Sequence, residues 1–389
     1  MFPKWLLPDY LEDLLPAEAA RVEVARNQLI GTMLSNGYQL VSPPLLEHVD
    51  SLLTGSGQDL DLQTFKIVDQ LSGRTLGIRS DVTSQIARID AHALAGSEVS
   101  RLCYAERVLR TRPDDVDSSR EIFQLGAELF GADALDADIE ITSLMVDCIK
   151  KISTRPLTLD LGNVSVVMAV FDWLDLESKD RLAFFSALQA KDTAFLDKMS
   201  ASLNSQKRKV VMELPKLYGD VVILDKARDL LSDVPGALSG IGELENLSKE
   251  LDGNVDQVSV DLAEMRGFQY HSGIVTATYI HGEVSPVSRG GRYDHVGEVF
   301  GRSRKATGFT IDLRRLARLG NDEVFVPKGR IISAPRISHD AELMSLIKLL
   351  REQGDVVIVD LNINGRETSD SSTTHRLERI DGTWQVTSL

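Results

Sequence analysis

Apolar side chains alternate most regularly with small or polar ones between residues 121 and 130. The alternating run is Phe123, Gln124, Leu125, Gly126, Ala127, Glu128 and Leu129. A repeat of two residues is typical of a half-buried strand, so we expect the apolar row to face the core. Residues 102–110 also have strand character, and the loop 111–119 joins the two segments. The pattern therefore predicts an antiparallel hairpin with Arg110 at its rim.

The polar row of this strand suggests a ligand-binding surface. Gly126 lies between Gln124 and Glu128 and has no side chain, so we expect a notch in which a small polar ligand lies against the sheet. With Arg110 the surface offers a carboxylate, an amide and a guanidinium. These groups suit a zwitterion such as an amino acid, because arginine pairs with a carboxylate and an acidic side chain neutralises an ammonium or ring N–H. An ordinary strand face with scattered polar residues is the alternative.

Periodicity, capping residues and turn residues predict the remaining elements. Helices are predicted over residues 16–35, 81–95, 136–151, 178–190, 225–231 and 340–352. Strands are predicted over residues 38–44, 65–69, 74–79, 156–161, 258–262, 274–280, 330–334, 355–360, 376–380 and 383–387. Asp381-Gly382 is a strong two-residue hairpin signal between the last two strands. Residues 175–253 contain no strand-rich pattern and predict a mostly helical insertion, and residues 323–389 predict a small α/β domain.

Composition limits the classes of function. The chain has 389 residues, 43% of them hydrophobic and 26% charged, which is enough for a large core. With 43 Lys and Arg against 58 Asp and Glu, the net charge of −15 disfavours tRNA binding. Cys103 and Cys148 have no metal-ligand spacing, so we expect reduced thiols, no metal and no cofactor. The first residues are too short and too interrupted by proline for a membrane or signal segment, which predicts a cytoplasmic protein.

The hairpin resembles motif 2 of class II aminoacyl-tRNA synthetases, and specifically of the histidyl-tRNA synthetases, with Arg110 in the position of the motif arginine. Three further segments resemble that family in the same order, namely Arg79-Ser-Asp81-Val-Thr83, Arg266-Gly-Phe-Gln-Tyr270-His271-Ser-Gly273 and Gly290-Gly-Arg-Tyr293-Asp294. The similarity extends from about Pro8 to Leu319. It implies an α+β fold in which residues 1–174 and 254–322 form a class II synthetase-like core, with a mixed, mostly antiparallel sheet flanked by helices.

The resemblance also implies a histidine-binding site. Its candidate residues are Asp81, Thr83, Arg110, Gln124, Glu128, Arg266, Tyr270, His271 and Tyr293. By resemblance, Asp81 would hold the ammonium with Thr83 beside it, Arg266 would meet the carboxylate, and the aromatic residues would form the imidazole pocket with Glu128. Two alternatives remain from the residues themselves. Asp81 is also in the position of a simple helix cap, and His271 could be a partly buried histidine with a satisfied ring.

Several residues depart from the synthetase pattern around the nucleotide. Ile122 occupies the place of the phenylalanine that stacks on adenine, and Asp312 that of a glycine close to the nucleotide. Asp312 adds bulk and negative charge, and Asp114, Asp115 and Asp117 add charge in the hairpin loop. We therefore expect a site that keeps the amino acid and has lost ATP, because charge and bulk fill the nucleotide region.

This combination is similar to the regulatory subunits of short-form ATP phosphoribosyltransferase. The similarity implies a non-catalytic protein that activates a separate catalytic subunit and mediates inhibition by L-histidine in the first step of histidine biosynthesis. It implies a hetero-oligomer, expected to be a hetero-octamer, and a self-dimer through the motif 1 region at residues 16–44. Another subunit is the expected partner of the helical insertion, and residues 323–389 are short for an anticodon-binding domain. An active histidyl-tRNA synthetase and a synthetase-like amino-acid ligase are the alternatives.

Overall fold

The chain forms two compact units in a computed structural model. The described residues are 5–53, 58–96, 98–113, 118–263, 270–325, 329–336, 340–361 and 372–389. The first unit is Met1–Asn321 and the second is Asp322–Leu389.

The first unit contains twelve α-helices and twelve strands among its described residues. Its helices are α1 (Pro16–Ser35), α2 (Val49–Leu52), α3 (Gln58–Gln63), α4 (Thr83–Arg88), α5 (Ala134–Ile152), α6 (Val164–Leu174), α7 (Ser178–Gln189), α8 (Thr193–Ser200), α9 (Ser205–Glu213), α10 (Ile223–Leu230), α11 (Ala237–Glu250) and α12 (Leu313–Leu319). Its strands are β1 (Gln39–Leu40), β2 (Leu46–His48), β3 (Phe65–Val68), β4 (Thr75–Ile78), β5 (Ser100–Leu109), β6 (Glu121–Phe130), β7 (Leu157–Asn163), β8 (Tyr218–Asp220), β9 (Gln257–Asp261), β10 (Ile274–Ile280), β11 (Ser288–Arg292) and β12 (Ala306–Asp312).

Nine of these strands form one sheet in the order β1-β5-β6-β12-β11-β10-β7-β9-β8. The pairs β1–β5 and β7–β9 are parallel and the others are antiparallel. This is the mixed, mostly antiparallel sheet that was predicted. Strands β2, β4 and β3 form a separate three-stranded antiparallel sheet.

The two faces of the nine-stranded sheet differ in how they are covered. On β10, Thr276 and Thr278 are buried, and the Thr278 hydroxyl lies 3.7 Å from the sulfur of Met145 on α5. The alternate residues Ala277 and Tyr279 are only partly buried. Helices α5, α6 and α11 therefore cover one face, and the opposite face stays partly open to hold a site.

The strand β6 corrects the prediction of a half-buried strand. Gln124 and Glu128 are 3% and 1% exposed, so its polar row is as buried as its apolar row. The reason is that β6 pairs on both sides and that α4 covers the polar-row face. There Val82 and Ile86 pack in one cluster with Tyr104.

Two predicted elements differ most from their bounds in the structure. The predicted strand at 38–44 is reduced to β1, which pairs only with β5 before Pro43 and Pro44, residues that have no N–H to donate. The predicted helix at 81–95 consists of α4 followed by a π-helix over Ile89–Ala93. By contrast, α1 and β10 have the predicted bounds.

Residues 175–253 contain α7 to α11 and the short strand β8, so their predicted helical character is observed. The strand β8 pairs with β9 at the edge of the large sheet, and Asn163 at the end of β7 donates to Glu243 on α11 at 2.9 Å. These contacts tie the helical segment to the strands that lead toward the open face.

The second unit contains β13 (Ile331–Ala334), α13 (Ala341–Glu352), β14 (Val356–Val359), β15 (His375–Ile380) and β16 (Thr383–Ser388). The sheet order is β14-β13-β15-β16, with β13 and β14 parallel, as the β-α-β pattern predicted. Asp381 and Gly382 have φ values of 49° and 84°, which suit the tight hairpin turn. Most of the polar residues 364–374, which separate β14 from β15, lie outside the described residues.

Candidate functional site

Two neighbouring cavities open on the partly covered face of the large sheet. The first cavity has a volume of about 170 Å³, and its lining includes Asp81, Arg110, Ile122, Gln124, Asp312 and Arg315. The second cavity has a volume of about 70 Å³, and its lining includes Asp160, Asp261, His271 and Tyr279. Arg289 lines both, so the two cavities adjoin at this residue.

Asp81 and Gln124 hold each other in place at the wall of the first cavity. The amide of Gln124 donates to Oδ2 of Asp81 at 3.1 Å, and the backbone N–H of Thr83 donates to Oδ1 at 2.8 Å. Oε1 of Gln124 accepts the backbone N–H of Val82 at 3.2 Å. Val82 holds the N-cap position of α4, and Asp81, one residue earlier, accepts the N–H of the first helical residue and also lies at the cavity.

Arg110 meets Asp81 and Gln124 at the first cavity. Its Nε donates to the carbonyl oxygen of Ser80 at 3.2 Å, and its backbone N–H donates to Arg120 across the hairpin at 2.8 Å. The residue follows β5 directly, where Leu109 and Arg79 are also joined through their backbones. The hairpin rim thus brings a guanidinium beside the start of α4.

Glu128 does not line either cavity and instead forms a closed cluster with tyrosines. The hydroxyl of Tyr104 donates to Oε1 at 3.1 Å, and the hydroxyl of Tyr293 donates to Oε2. Burial raises the pKa of Glu128 to about 8, the charge of Asp81 acts in the same direction, and the hydrogen bonds from Tyr293 and Tyr104 act against it. The carboxyl group is thus mostly neutral at pH 7.

The predicted notch at Gly126 is occupied by the protein. Tyr104 lies directly opposite Gly126 on β5. A Cβ at position 126 would come within 2.5 Å of the Tyr104 hydroxyl and 2.4 Å of the carbonyl oxygen of Phe309. Glycine is needed at this position because the side chain of Tyr104 packs directly over it. The prediction of a ligand-binding notch at Gly126 is therefore wrong.

Tyr270, His271 and Tyr293 lie together, as their assignment to one pocket required. The rings of Tyr270 and Tyr293 stack at 5.1 Å between centroids, and His271 meets Tyr270 edge-on at 5.3 Å. Nδ1 of His271 lies 3.1 Å from the carbonyl oxygen of Arg292, so it carries the proton. Burial lowers the pKa of His271 to about 4, which keeps the ring neutral. One ring nitrogen is therefore satisfied, as the alternative for this residue predicted.

Some predicted residues cannot be placed. Arg266, and the loop aspartates Asp114, Asp115 and Asp117, lie outside the described residues. Thr83 is described, and its hydrogen bonding lowers the pKa of Glu128, which puts it between Asp81 and the tyrosine cluster.

The region assigned to a lost nucleotide is not filled. Asp312 is the N-cap of α12, because its Oδ1 accepts the backbone N–H of Arg315 at 3.1 Å. Asp312 and Ile122 form part of the wall of the first cavity, which stays open beside them. Burial raises the pKa of Asp312, and the neighbouring Arg315 and Arg314 act against that rise. The aspartate therefore lies in the cavity wall, but its bulk does not close the region.

Sequence reasoning missed Arg289 and Thr310. Thr310 lines the first cavity, and its hydroxyl oxygen is buried without a hydrogen-bond partner among the described residues. Arg289 directly precedes the Gly290-Gly-Arg-Tyr motif, and this adjacency was the one available signal. Neither residue belongs to a pattern that distinguishes it from an ordinary strand residue.

The described part of the chain offers no group of three or more His, Cys, Asp or Glu side chains suited to a metal ion. Among the same residues, every helix is too short or too polar to cross a membrane.

Comparisons with known proteins cover nearly the whole chain. Residues 10–316 match the family model described as histidyl-tRNA synthetase, and residues 329–387 match the model described as ATP phosphoribosyltransferase subunit HisZ C-terminal domain. A protein of Janthinobacterium sp. (strain Marseille) named ATP phosphoribosyltransferase regulatory subunit is 43% identical over 387 residues, covering 100% of both chains. A protein of the same name from Paraburkholderia xenovorans is 42% identical over 382 residues and 98% of both chains.

Solved structures agree with the sequence comparisons. An ATP phosphoribosyltransferase regulatory subunit/histidyl-tRNA synthetase from Bacillus halodurans matches with a TM-score of 0.80 and 26% identity, covering 92% of this chain and 93% of that one. A histidyl-tRNA synthetase from Nostoc sp. PCC 7120 shares the fold with a TM-score of 0.78 at 18% identity, covering 100% of this chain and 97% of that one. The predicted class II synthetase-like fold is confirmed, and the chain belongs to the ATP phosphoribosyltransferase regulatory subunit family.

Proposed function

We propose that this chain is a non-catalytic regulatory subunit that binds free L-histidine, activates a separate catalytic ATP phosphoribosyltransferase subunit and mediates its inhibition by histidine. The observation that carries this proposal is the meeting of Asp81, Gln124 and Arg110 at one cavity. An acceptor for an ammonium then lies near a guanidinium that can pair with an anion. The choice of the catalytic ATP phosphoribosyltransferase subunit as the partner is supported by the family to which the chain belongs.

The imidazole end of the ligand would be held by Glu128, Tyr270, His271 and Tyr293. The mostly neutral Glu128 and the neutral His271 favour an imidazole ring, which is uncharged when one of its nitrogens carries a proton. They disfavour a side chain that stays positively charged, such as that of lysine. Glu128 is 1% exposed, so the ring reaches it only if the tyrosine cluster opens. Binding of histidine would therefore change the packing of Tyr104 and Tyr293. Such a ligand-dependent change is what regulation through this site requires.

Further surfaces of the first unit suit assembly. Leu34 at the end of α1, Leu40 on β1 and Leu46 on β2 are 48%, 47% and 40% exposed. Apolar side chains of this size, exposed at the end of α1, on the edge strand β1 of the large sheet and in the following strand β2, favour a self-dimer through the motif 1 region. We assign contact with the catalytic subunit to the inserted helices of residues 175–253, within a hetero-oligomer expected to be an octamer. We also expect no tRNA binding, given the net charge of −15.

The direct test is reconstitution with the catalytic subunit. Phosphoribosyl transfer to ATP is measured with and without this chain, and then with increasing L-histidine. We expect the chain to raise the rate and histidine to lower it. Calorimetry with the chain alone and in the complex should give different histidine affinities, because coupling between the two bindings is reciprocal. Unchanged rates, or the same histidine affinity in both states, would contradict regulation through this site.

A histidyl-tRNA synthetase is the second candidate, because the first cavity stays open beside Ile122 and Asp312. Histidine-dependent exchange of pyrophosphate into ATP would reveal amino-acid activation by this chain. A synthetase-like ligase that acts on another acceptor would show the same exchange. We expect none at millimolar ATP.

A further inference from the structure

Arg289 occupies a distinctive place between the two cavities. On β11 it lies directly opposite Thr310 of β12 and Ala277 of β10. Thr310 in turn lies opposite Gly126 of β6. Residues that are directly opposite in a sheet project to the same face, so Arg289 shares the face of Gln124 and Glu128. Its position in the linings of both cavities follows from this register.

Thr310 provides an independent sign that the first cavity takes a ligand. Its hydroxyl oxygen is buried, lines the cavity side of β12 and has no hydrogen-bond partner among the described residues. Buried polar groups in folded proteins almost always have a partner, and an unsatisfied one is costly. An acceptor atom on a ligand would satisfy the hydroxyl. The next residue on the same face of β12 is Asp312, whose carboxylate is already held by the backbone of α12.

The polar groups of the first cavity are arranged in two parts. Asp81 and Gln124 lie at the β6 side, joined by their hydrogen bond. Thr310 lies on the neighbouring strand β12 and Arg289 on β11 beyond it, and both side chains can donate hydrogen bonds to an anion. One strand, β12, separates β6 from β11, so the backbones that carry Gln124 and Arg289 are about 10 Å apart and leave room for a small ligand between the side chains. A free α-amino acid has an ammonium and a carboxylate that match the two parts.

We propose that Arg289 and Thr310 form the carboxylate-binding subsite for a free α-amino acid whose ammonium lies at Asp81. This inference rests on the proposed function, in which that amino acid is histidine. The resemblance assigned the carboxylate to Arg266, and Arg289 is a further, unassigned specificity-determining residue. Because the subsite recognises the carboxylate, the protein responds to the free amino acid and rejects derivatives in which that group is blocked.

The test compares two ligands that differ at the carboxylate. L-Histidine and L-histidinamide have the same ring, the same ammonium and nearly the same shape. Calorimetry measures both with the full chain, alone and assembled with its catalytic subunit. We expect the wild type to prefer histidine by about 100-fold, because a charge-assisted arginine–carboxylate pair is replaced by a neutral contact. The Arg289→Met variant should lose about 100-fold in histidine affinity and less than about 3-fold in histidinamide affinity.

Two further variants act as matched comparisons. Arg315→Met removes the same charge from the wall of the first cavity, at a residue whose guanidinium pairs with Glu283 at 3.2 Å. We expect the ratio of histidine to histidinamide affinity to stay within about 3-fold of the wild type. Thr310→Val keeps the shape of the side chain and removes the unpaired hydroxyl. It should lower histidine affinity by about 5-fold to 10-fold without lowering stability toward denaturant.

The outcomes separate this inference from the proposed function. Absence of histidine binding to the wild type, alone and in the complex, would overturn both. A wild type that binds histidine and histidinamide equally well would overturn the carboxylate subsite alone. Equal losses for both ligands in Arg289→Met would do the same, since they would indicate a merely structural role. If Arg289→Met does not fold, Arg289→Lys replaces it. The carboxylate subsite is then overturned if Arg289→Lys keeps the wild-type preference for histidine over histidinamide and Thr310→Val keeps the wild-type affinity for histidine.

Discussion

The cluster around Glu128 and the first cavity lie on the same face of one sheet, but they differ in whether the protein itself provides hydrogen-bond partners for their polar groups. In the cluster, both carboxyl oxygens of Glu128 already accept hydroxyls from Tyr104 and Tyr293. In the cavity, the hydroxyl of Thr310 is buried without a partner among the described residues. A polar group that the protein satisfies itself contributes to stability, whereas one left unsatisfied gains from a ligand. The first cavity can therefore bind a ligand without rearrangement, whereas the cluster around Glu128 must rearrange before a ligand reaches it.

The largest expected effect tests how tightly the cluster is closed. Gly126→Ala would place a Cβ within 2.6 Å of the ring and hydroxyl of Tyr104 and 2.4 Å of the Phe309 carbonyl oxygen. We expect a loss of about 3 kcal/mol in the free energy of unfolding, measured by denaturant titration, because the backbone and a packed ring must move. The matched control is Gly242→Ala on α11, where a Cβ meets no atom within 4 Å. It should be neutral or stabilising by up to about 1 kcal/mol. Similar stabilities for the two variants would contradict the closed cluster.

The next prediction tests ligand binding at the first cavity. Asp81→Asn removes the charge that would neutralise the ligand ammonium, while an asparagine can still accept the backbone N–H of Thr83. We expect histidine affinity to fall by about 50-fold in calorimetry, because a charged hydrogen bond in a partly buried site is lost. Asp192→Asn is the control, since Asp192 caps α8 through the N–H of Phe195 at 3.0 Å and lies in the inserted segment. A normal histidine affinity in Asp81→Asn would place the ammonium elsewhere.

The pH dependence of stability tests the neutral state of Glu128. Its pKa is about 8 in the folded protein and ordinary in the unfolded chain, so between pH 5 and 8 the unfolded state releases the proton that the folded state keeps. Stability contributed by this group therefore falls as pH rises, by at most about 1.4 kcal/mol per pH unit. Glu128→Gln has no proton to lose. Its free energy of unfolding, relative to wild type, should rise between pH 6 and pH 7 in paired denaturant titrations. Parallel curves would mean that Glu128 is ionised in the fold.

The smallest expected effect concerns Asp312, which belongs to the cavity wall and to a helix end at once. Asp312→Ala should cost about 1 kcal/mol of stability through loss of the α12 cap, and Asp312→Gly only a few tenths. Asp312→Gly combined with Ile122→Phe therefore tests nucleotide binding with little effect on the fold. ATP binding gained by the double variant, measured by calorimetry, would support exclusion by these two residues. No gain would mean that the cavity rejects nucleotides for another reason.

Local signals in the sequence were sufficient for several elements. Helix α1, strand β10 and the Asp381-Gly382 hairpin follow from periodicity and turn residues that act within a few positions of one another. Asp81 was a candidate both for a cap and for the site, and its two carboxyl oxygens accept the N–H of Thr83 and the amide of Gln124. The class of fold followed from four short segments in a characteristic order.

The sequence by itself determined the periods of the strands and helices, the family resemblance and some of the side chains at the first cavity, among them Asp81, Arg110 and Gln124. Only the tertiary structure decided that β6 is covered on both faces, that Tyr104 fills the space above Gly126 and that Arg289 lies across β12 from Gln124. The physical reason is distance along the chain. Strands β6 and β11 are separated by more than 150 residues and become neighbours of β12 only through sheet pairing. Which side chains share a cavity depends on that register, and no local pattern specifies it.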